Sequence, residues 1–142
     1  MNIVFQRMTK EGWDWFNAKV PVLCVEDSCG MIARDTSTDE IVGGCVLDNW
    51  TDTSVMVHFA VASPMVLRAG FFDLCADFVF NDRKRRIVYA SVPDSYESAL
   101  GFLPKVGFTE VARLKDAFKE GIDCVIMELR KENLVHISKE AA

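Results

Sequence analysis

A chain of 142 residues fits one domain and leaves no room for a second of ordinary size. Half of its residues are apolar and 26% are charged, the profile of a globular chain with its own core, which argues against disorder outside the last residues. A net charge of −5 argues against nucleic acid as a partner, because neutralising a phosphate backbone needs a basic face.

Asn2–Arg7 (NIVFQR) alternates as a short first strand. Neither a signal peptide nor an apolar run near the ~20 residues of a membrane span is present, so a cytoplasmic chain without a membrane partner is expected. Thr9 is placed to cap a helix to about Val20, with Trp13, Phe16 and Val20 on one face and Pro21 ending it. Gly30–Arg34 and Ile41–Asp48 flank a polar turn and predict a hairpin. Trp50–Thr53 turns the chain into Ser54–Ala62 (SVMVHFAVA), a β-branched and aromatic strand.

Beyond Pro64 the period lengthens. Leu67, Phe71, Leu74 and Phe78 recur at helical spacing, predicting one amphipathic helix from about Met65 to Phe80. After the charged break Asn81–Arg85, the near-continuous apolar run Arg86–Val92 predicts a strand covered on both sides. Ser95 is predicted to cap a helix carrying Ala99, Phe102, Leu103 and Val106, with Pro104 shortening its last turn and Gly107 as the exit. Phe108–Leu114 and Cys124–Leu129 close the pattern as two strands. Residues 1–130 are taken as one domain and 131–142 as a C-terminal tail.

The order β-α-β-β-β-α-β-α-β-β predicts an α/β (α+β) fold with a mixed sheet of about seven strands. Its β-α-β centre implies a right-handed crossover between parallel strands, and the hairpins on either side make the sheet mostly antiparallel. The five cysteines, Cys24, Cys29, Cys45, Cys75 and Cys124, show no metal-ligand spacing, so no metal is expected. Cys75 and Cys124 lie in apolar runs and read as small core residues in a reducing compartment.

Four segments in this order resemble the GNAT N-acetyltransferase family over about residues 2–130. Glu40-Ile-Val-Gly-Gly44 is similar to its third strand, Phe59–Pro64 to the strand end before its coenzyme loop, and Arg86–Val92 to its next central strand. Ala99-Leu-Gly-Phe-Leu-Pro-Lys-Val-Gly-Phe108 is similar to the family's A-x-x-F-Y-x-K-x-G-F and is the most specific of the four. The chain also looks like the short members encoded by tailed phages. Three departures stand beside the likeness. Of the family's R/Q-x-x-G-x-G/A pyrophosphate loop, laid on Leu67–Phe72, only Gly70 fits. Leu103 stands where the family has its thiol-protonating tyrosine, and Tyr96 where it commonly has asparagine.

The resemblance implies acetyl-coenzyme A as cosubstrate and a primary amine of a protein or small molecule as acceptor. It places the pantetheine arm against the backbone of Val61 and Ala62, and the pyrophosphate at Arg68, Ala69, Gly70 and Phe71, where a helix N-terminus supplies N–H donors. Amine acetylation is helped by a base, because a lysine-like amine is protonated below its pKa of ~10.4. His58 has the right chemistry, as base or as a packed structural group, with Asp48, Asp52 and Glu26 as rivals. Tyr96 or Tyr89 can replace the missing acid, although a thiol with a pKa near ~8.5 leaves readily without one. The acceptor cleft is expected near Trp13, Trp15 and Trp50, and the exposed last strands would permit a homodimer. The alternative is a protein of this fold that binds a partner without turnover.

Overall fold

The computed structural model describes residues 2–136, and the predicted order of strands and helices runs through them. Strands β1 (Ile3–Arg7), β2 (Cys29–Asp35), β3 (Glu40–Asp48), β4 (Ser54–Val61), β5 (Ile87–Pro93), β6 (Thr109–Lys119) and β7 (Ile122–Arg130) form one sheet. Among the described residues it has seven strands in the order β1-β2-β3-β4-β5-β7-β6. Every neighbouring pair is antiparallel except β4 with β5.

Two successive glycines of β3 show how the sheet is covered. A Cβ on Gly44 would meet Phe16 and Trp15 of helix α1 (Lys10–Lys19), whereas one on Gly43 would meet Val66 and Phe71 on the opposite face. Neighbouring residues of a strand point to opposite faces, so the sheet is a middle layer. Helix α1 begins as predicted, with the Thr9 hydroxyl accepting from the Gly12 amide at 3.0 Å.

The single helix expected over 65–80 is broken. Helix α2 (Pro64–Arg68) stops, Gly70 takes a left-handed φ of 98°, and helix α3 (Phe71–Asp77) starts afresh before a π-helical turn over Phe78–Asp82. Only glycine adopts that backbone freely. The break resets the helical phase. The buried set is therefore Val66, Phe71, Phe72, Cys75, Ala76, Val79 and Phe80, while Leu74, counted on the apolar face from the sequence, is exposed. These residues meet Cys45, Leu47, Val55, Val88, Val125, Met127 and Leu129 from the sheet in the main core.

Other differences are smaller. Strand β5 buries Val88, Ala90 and Val92 on one face but only partly covers Ile87, Tyr89 and Pro93 and exposes Ser91 on the other. It is thus not covered on both sides. Helix α4 (Glu97–Phe102) is capped by Tyr96 with no side-chain bond, one residue later than Ser95, because a turn carries the Tyr96 amide back to the Pro93 carbonyl. Pro104 lies in a 3₁₀ turn (Leu103–Val106) and Gly107 exits at φ 112°, as the sequence suggests. Strands β6 and β7 extend further along their hairpin than predicted.

Cys124, expected in the core, is half-buried, because its side of β7 is only partly covered. No helix of the described residues is long and apolar enough to cross a membrane. Residues 131–136 return over the domain, with the Val135 amide donating to the Val106 carbonyl at 3.0 Å. Residues 137–142 of the expected tail lie outside the described residues.

Candidate active site

The parallel pair at the centre of the sheet is short. Ser54, Val55 and Met56 of β4 register with Ile87, Val88 and Tyr89 of β5, and there the pairing stops. Past that point β4 stays with β3 as far as Gly43↔Val61, while β5 stays with β7 as far as Pro93↔Cys124. The two strands therefore part at Val57 and Ala90. Hydrogen bonding fixes what β4 presents to the opening. The Ala62 amide donates to Val42 at 2.8 Å, so Ala60 and His58, in step with it, also exchange bonds with β3. The alternation leaves the N–H and C=O of Val57, Phe59 and Val61 facing the gap. Of the two positions expected to offer backbone, Val61 does so and Ala62 has its amide engaged.

The loop after β4 supplies a second set of donors. The Ser63 hydroxyl caps the Met65 amide at 3.1 Å, and the Val66, Ala69 and Gly70 amides bond within α2 and its exit turn. At α3 the situation differs. Gly70 is its N-cap and has no side chain to offer, so no N-cap side-chain bond reaches the first turn, which opens with the amides of Phe71 and Phe72. The Leu74 amide closes the turn on the Gly70 carbonyl at 2.9 Å. This turn lies beside β4, since the rings of Phe71 and Phe59 are 5.3 Å apart. Arg68 is exposed at the end of α2, and no ion pair holds it among the described residues.

His58 points to the α1 face, opposite Val57 and Phe59. Its Nε2 lies 3.1 Å from both Oδ1 and Oδ2 of Asp48, which ends β3. The Asp48 side chain is 8% exposed and that of His58 17%. The sequence-level rivals for base thus divide: Asp48 is the partner of His58, while Asp52 and Glu26 are exposed in loops and, among the described residues, make no hydrogen bond to it.

Tyr96 is 42% exposed at the start of α4, with its ring 6.2 Å from that of Phe118 on β6. Tyr89 is partly buried in β5 beside Met56, and Leu103 occupies the 3₁₀ turn after α4. Burial pushes the Cys75 thiol well above its usual value, with the Cys45 thiol beside it reinforcing the effect.

No family model matches the chain, and no curated protein matches it in sequence. Solved structures do match it closely in shape. The spermidine/spermine N-acetyltransferase SpeG from Vibrio cholerae superposes with a TM-score of 0.74 at 11% identity, over 90% of this chain and 92% of that one. A mutant form of the same enzyme gives 0.76 at 11% identity, over 99% and 100%. A GNAT family acetyltransferase from Elizabethkingia anophelis with acetyl-CoA bound gives 0.70 at 17% identity, over 91% and 98%. The chain has the fold of the GNAT acetyltransferases.

Proposed function

We propose that this protein is an acetyl-coenzyme A-dependent N-acetyltransferase acting on a primary amine of a protein or small molecule. The observation that carries the reading is the parting of β4 from β5 beyond Met56↔Tyr89, next to a helix start that no side chain caps. The backbone that Val57, Phe59 and Val61 turn to the gap suits an extended pantetheine arm, which a strand edge binds by main-chain bonds. The amides of Phe71 and Phe72 at the start of α3 suit the pyrophosphate, with Arg68 as a nearby cation and Gly70 allowing close approach. The likeness to an acetyl-CoA-bound GNAT structure supports the same cosubstrate.

Bound acetyl-coenzyme A supplies an acyl thioester, open to attack at its carbonyl carbon. His58 acts as the base that takes the proton from the amine, and the half-open face of the sheet admits the acceptor. Tyr96 is the candidate acid, and the thiolate departs readily even unaided. The protein works in the cytoplasm, where its five free thiols stay reduced. Strand β6, the outer edge, exposes Val111, Leu114 and Phe118 by 53%, 51% and 48%, a surface suited to a second copy. Sedimentation of Leu114→Lys against wild type tests that homodimer.

The experiment for the activity is release of free coenzyme A thiol from acetyl-coenzyme A in the presence of peptide and small-molecule amines. Turnover that falls about 10²–10⁴-fold in His58→Gln supports the reading, and unchanged turnover refutes the base. One observation favours the alternative of binding without turnover. The loop that should cradle pyrophosphate is itself the helix α2, with several of its amides already bonded within the chain. Tight coenzyme binding with no product from any amine would establish that alternative.

A further inference from the structure

Asp48 is a carboxylate where carboxylates are rare. It ends β3 with its side chain 8% exposed, and a buried charge of this kind persists only with donors around it. Its donors are two. The Asn49 Nδ2 lies 3.4 Å from Oδ1, and the His58 Nε2 lies 3.1 Å from both oxygens. Asn49 holds a left-handed φ of 53°, a backbone that asparagine tolerates better than most residues. An ionised carboxylate accepts hydrogen bonds and donates none, so the nitrogen facing it carries the hydrogen. A neutral imidazole has one such hydrogen. Nδ1 is then the nitrogen with the free lone pair.

Resting on the reading of His58 as base, we propose that Asp48 is a positioning residue: it clamps the imidazole and fixes its proton on Nε2, so that Nδ1 takes the proton from the amine. The balance is complete. The amine nitrogen bonds to the acyl carbon, the carbon–sulfur pair leaves with sulfur as thiolate, and the amine proton moves to Nδ1. The imidazolium so formed faces the Asp48 carboxylate, which stabilises its charge. His58 alone would hold neither tautomer nor orientation, since β4 fixes only its backbone.

Two measurements on the full chain test this. The first is ¹⁵N NMR of the imidazoles, with the His58 signals identified by their loss in His58→Gln. The wild type is expected to show the proton on Nε2. Asp48→Asn is expected to move population toward Nδ1–H, because the new amide can donate to Nε2. A wild-type Nδ1–H tautomer overturns the proposal without any variant having to fold. The second is a double-mutant cycle on acyl transfer with an acyl thioester and a primary amine. Asp48→Asn should lower kcat about 10²-fold while leaving KM for the thioester unmoved. In the His58→Gln background the same change should cost almost nothing further, as expected of residues acting as a unit. An equal loss in both backgrounds marks Asp48 as merely structural and overturns the proposal. If wild type turns over but Asp48→Asn is equally active, this inference fails and the acetyltransferase reading survives. A wild type inactive on every amine overturns both.

Discussion

The Asp35 carboxylate at the end of β2 shows what one residue does in a turn. The Ser37 hydroxyl donates to it at 2.6 Å, with the Ser37 amide at 3.0 Å and the Asn2 amide at 3.3 Å. The Ser37 hydroxyl is the main cause holding its pKa below the ordinary carboxylate value, and the bonds together outweigh desolvation, which pushes the other way. A lowered folded-state pKa stabilises the native state above the unfolded value of ~3.9, and that advantage is lost as the pH falls through the folded value. Thermal melts of wild type and Asp35→Asn should therefore differ most near neutrality, and the difference should shrink below about pH 4. A gap that does not change with pH would show that the carboxylate charge is irrelevant there. Thiol chemistry gives a second check. Cys24 is exposed, whereas Cys45 and Cys75 are buried. A disulfide reagent should label Cys24 at once and the buried pair only on unfolding.

Among elements, two glycines make opposite forecasts. Gly107 exits the 3₁₀ turn at φ 112°, and a Cβ there would sit 2.1 Å from the Asn133 carbonyl oxygen. Gly107→Ala should cost at least about 1–3 kcal/mol from backbone strain alone. Gly101 lies within α4 with nothing within 4 Å of an added Cβ. Gly101→Ala should raise stability by about 0.4–1 kcal/mol through the lost freedom of the unfolded chain. Chemical denaturation reads both, and the same sign for the two would contradict the packing described. Phe71 joins α3 to the sheet, fully buried and ring to ring with Phe5 and Phe59 at 5.5 and 5.3 Å. Phe71→Ala should destabilise the protein by about 3–5 kcal/mol. Equilibrium unfolding that shows less than a third of this would mean that the first turn of α3 is not anchored by that ring.

At the scale of the molecule, the strands were legible because apolar alternation and turn residues such as Asp35–Glu40 are local signals. The crossover was legible too, since a helical period stands between two strongly β-branched runs. The break at Gly70 was not, because Leu67, Phe71 and Leu74 keep helical spacing across it and only a left-handed φ reveals the stop. Nor was the pairing of Asp48 with His58, which depends on the register Val46↔His58 set by the sheet. His58 and the positions around Gly70 could be named from the sequence as candidates. What the sequence does not carry is the edge that β4 turns to the gap, because backbone direction leaves no mark in residue identity.

The central claim is that the opening between β4 and β5 receives a thioester of coenzyme A. A calorimetric titration with acetyl-coenzyme A, joined to thermal melts at rising ligand, tests it directly. Saturable one-to-one binding is expected, with the native state stabilised by about 2.7 kcal/mol at a hundred times Kd. Binding should weaken when Arg68 is changed to glutamate. No heat of binding and no shift in melting at millimolar ligand would contradict it.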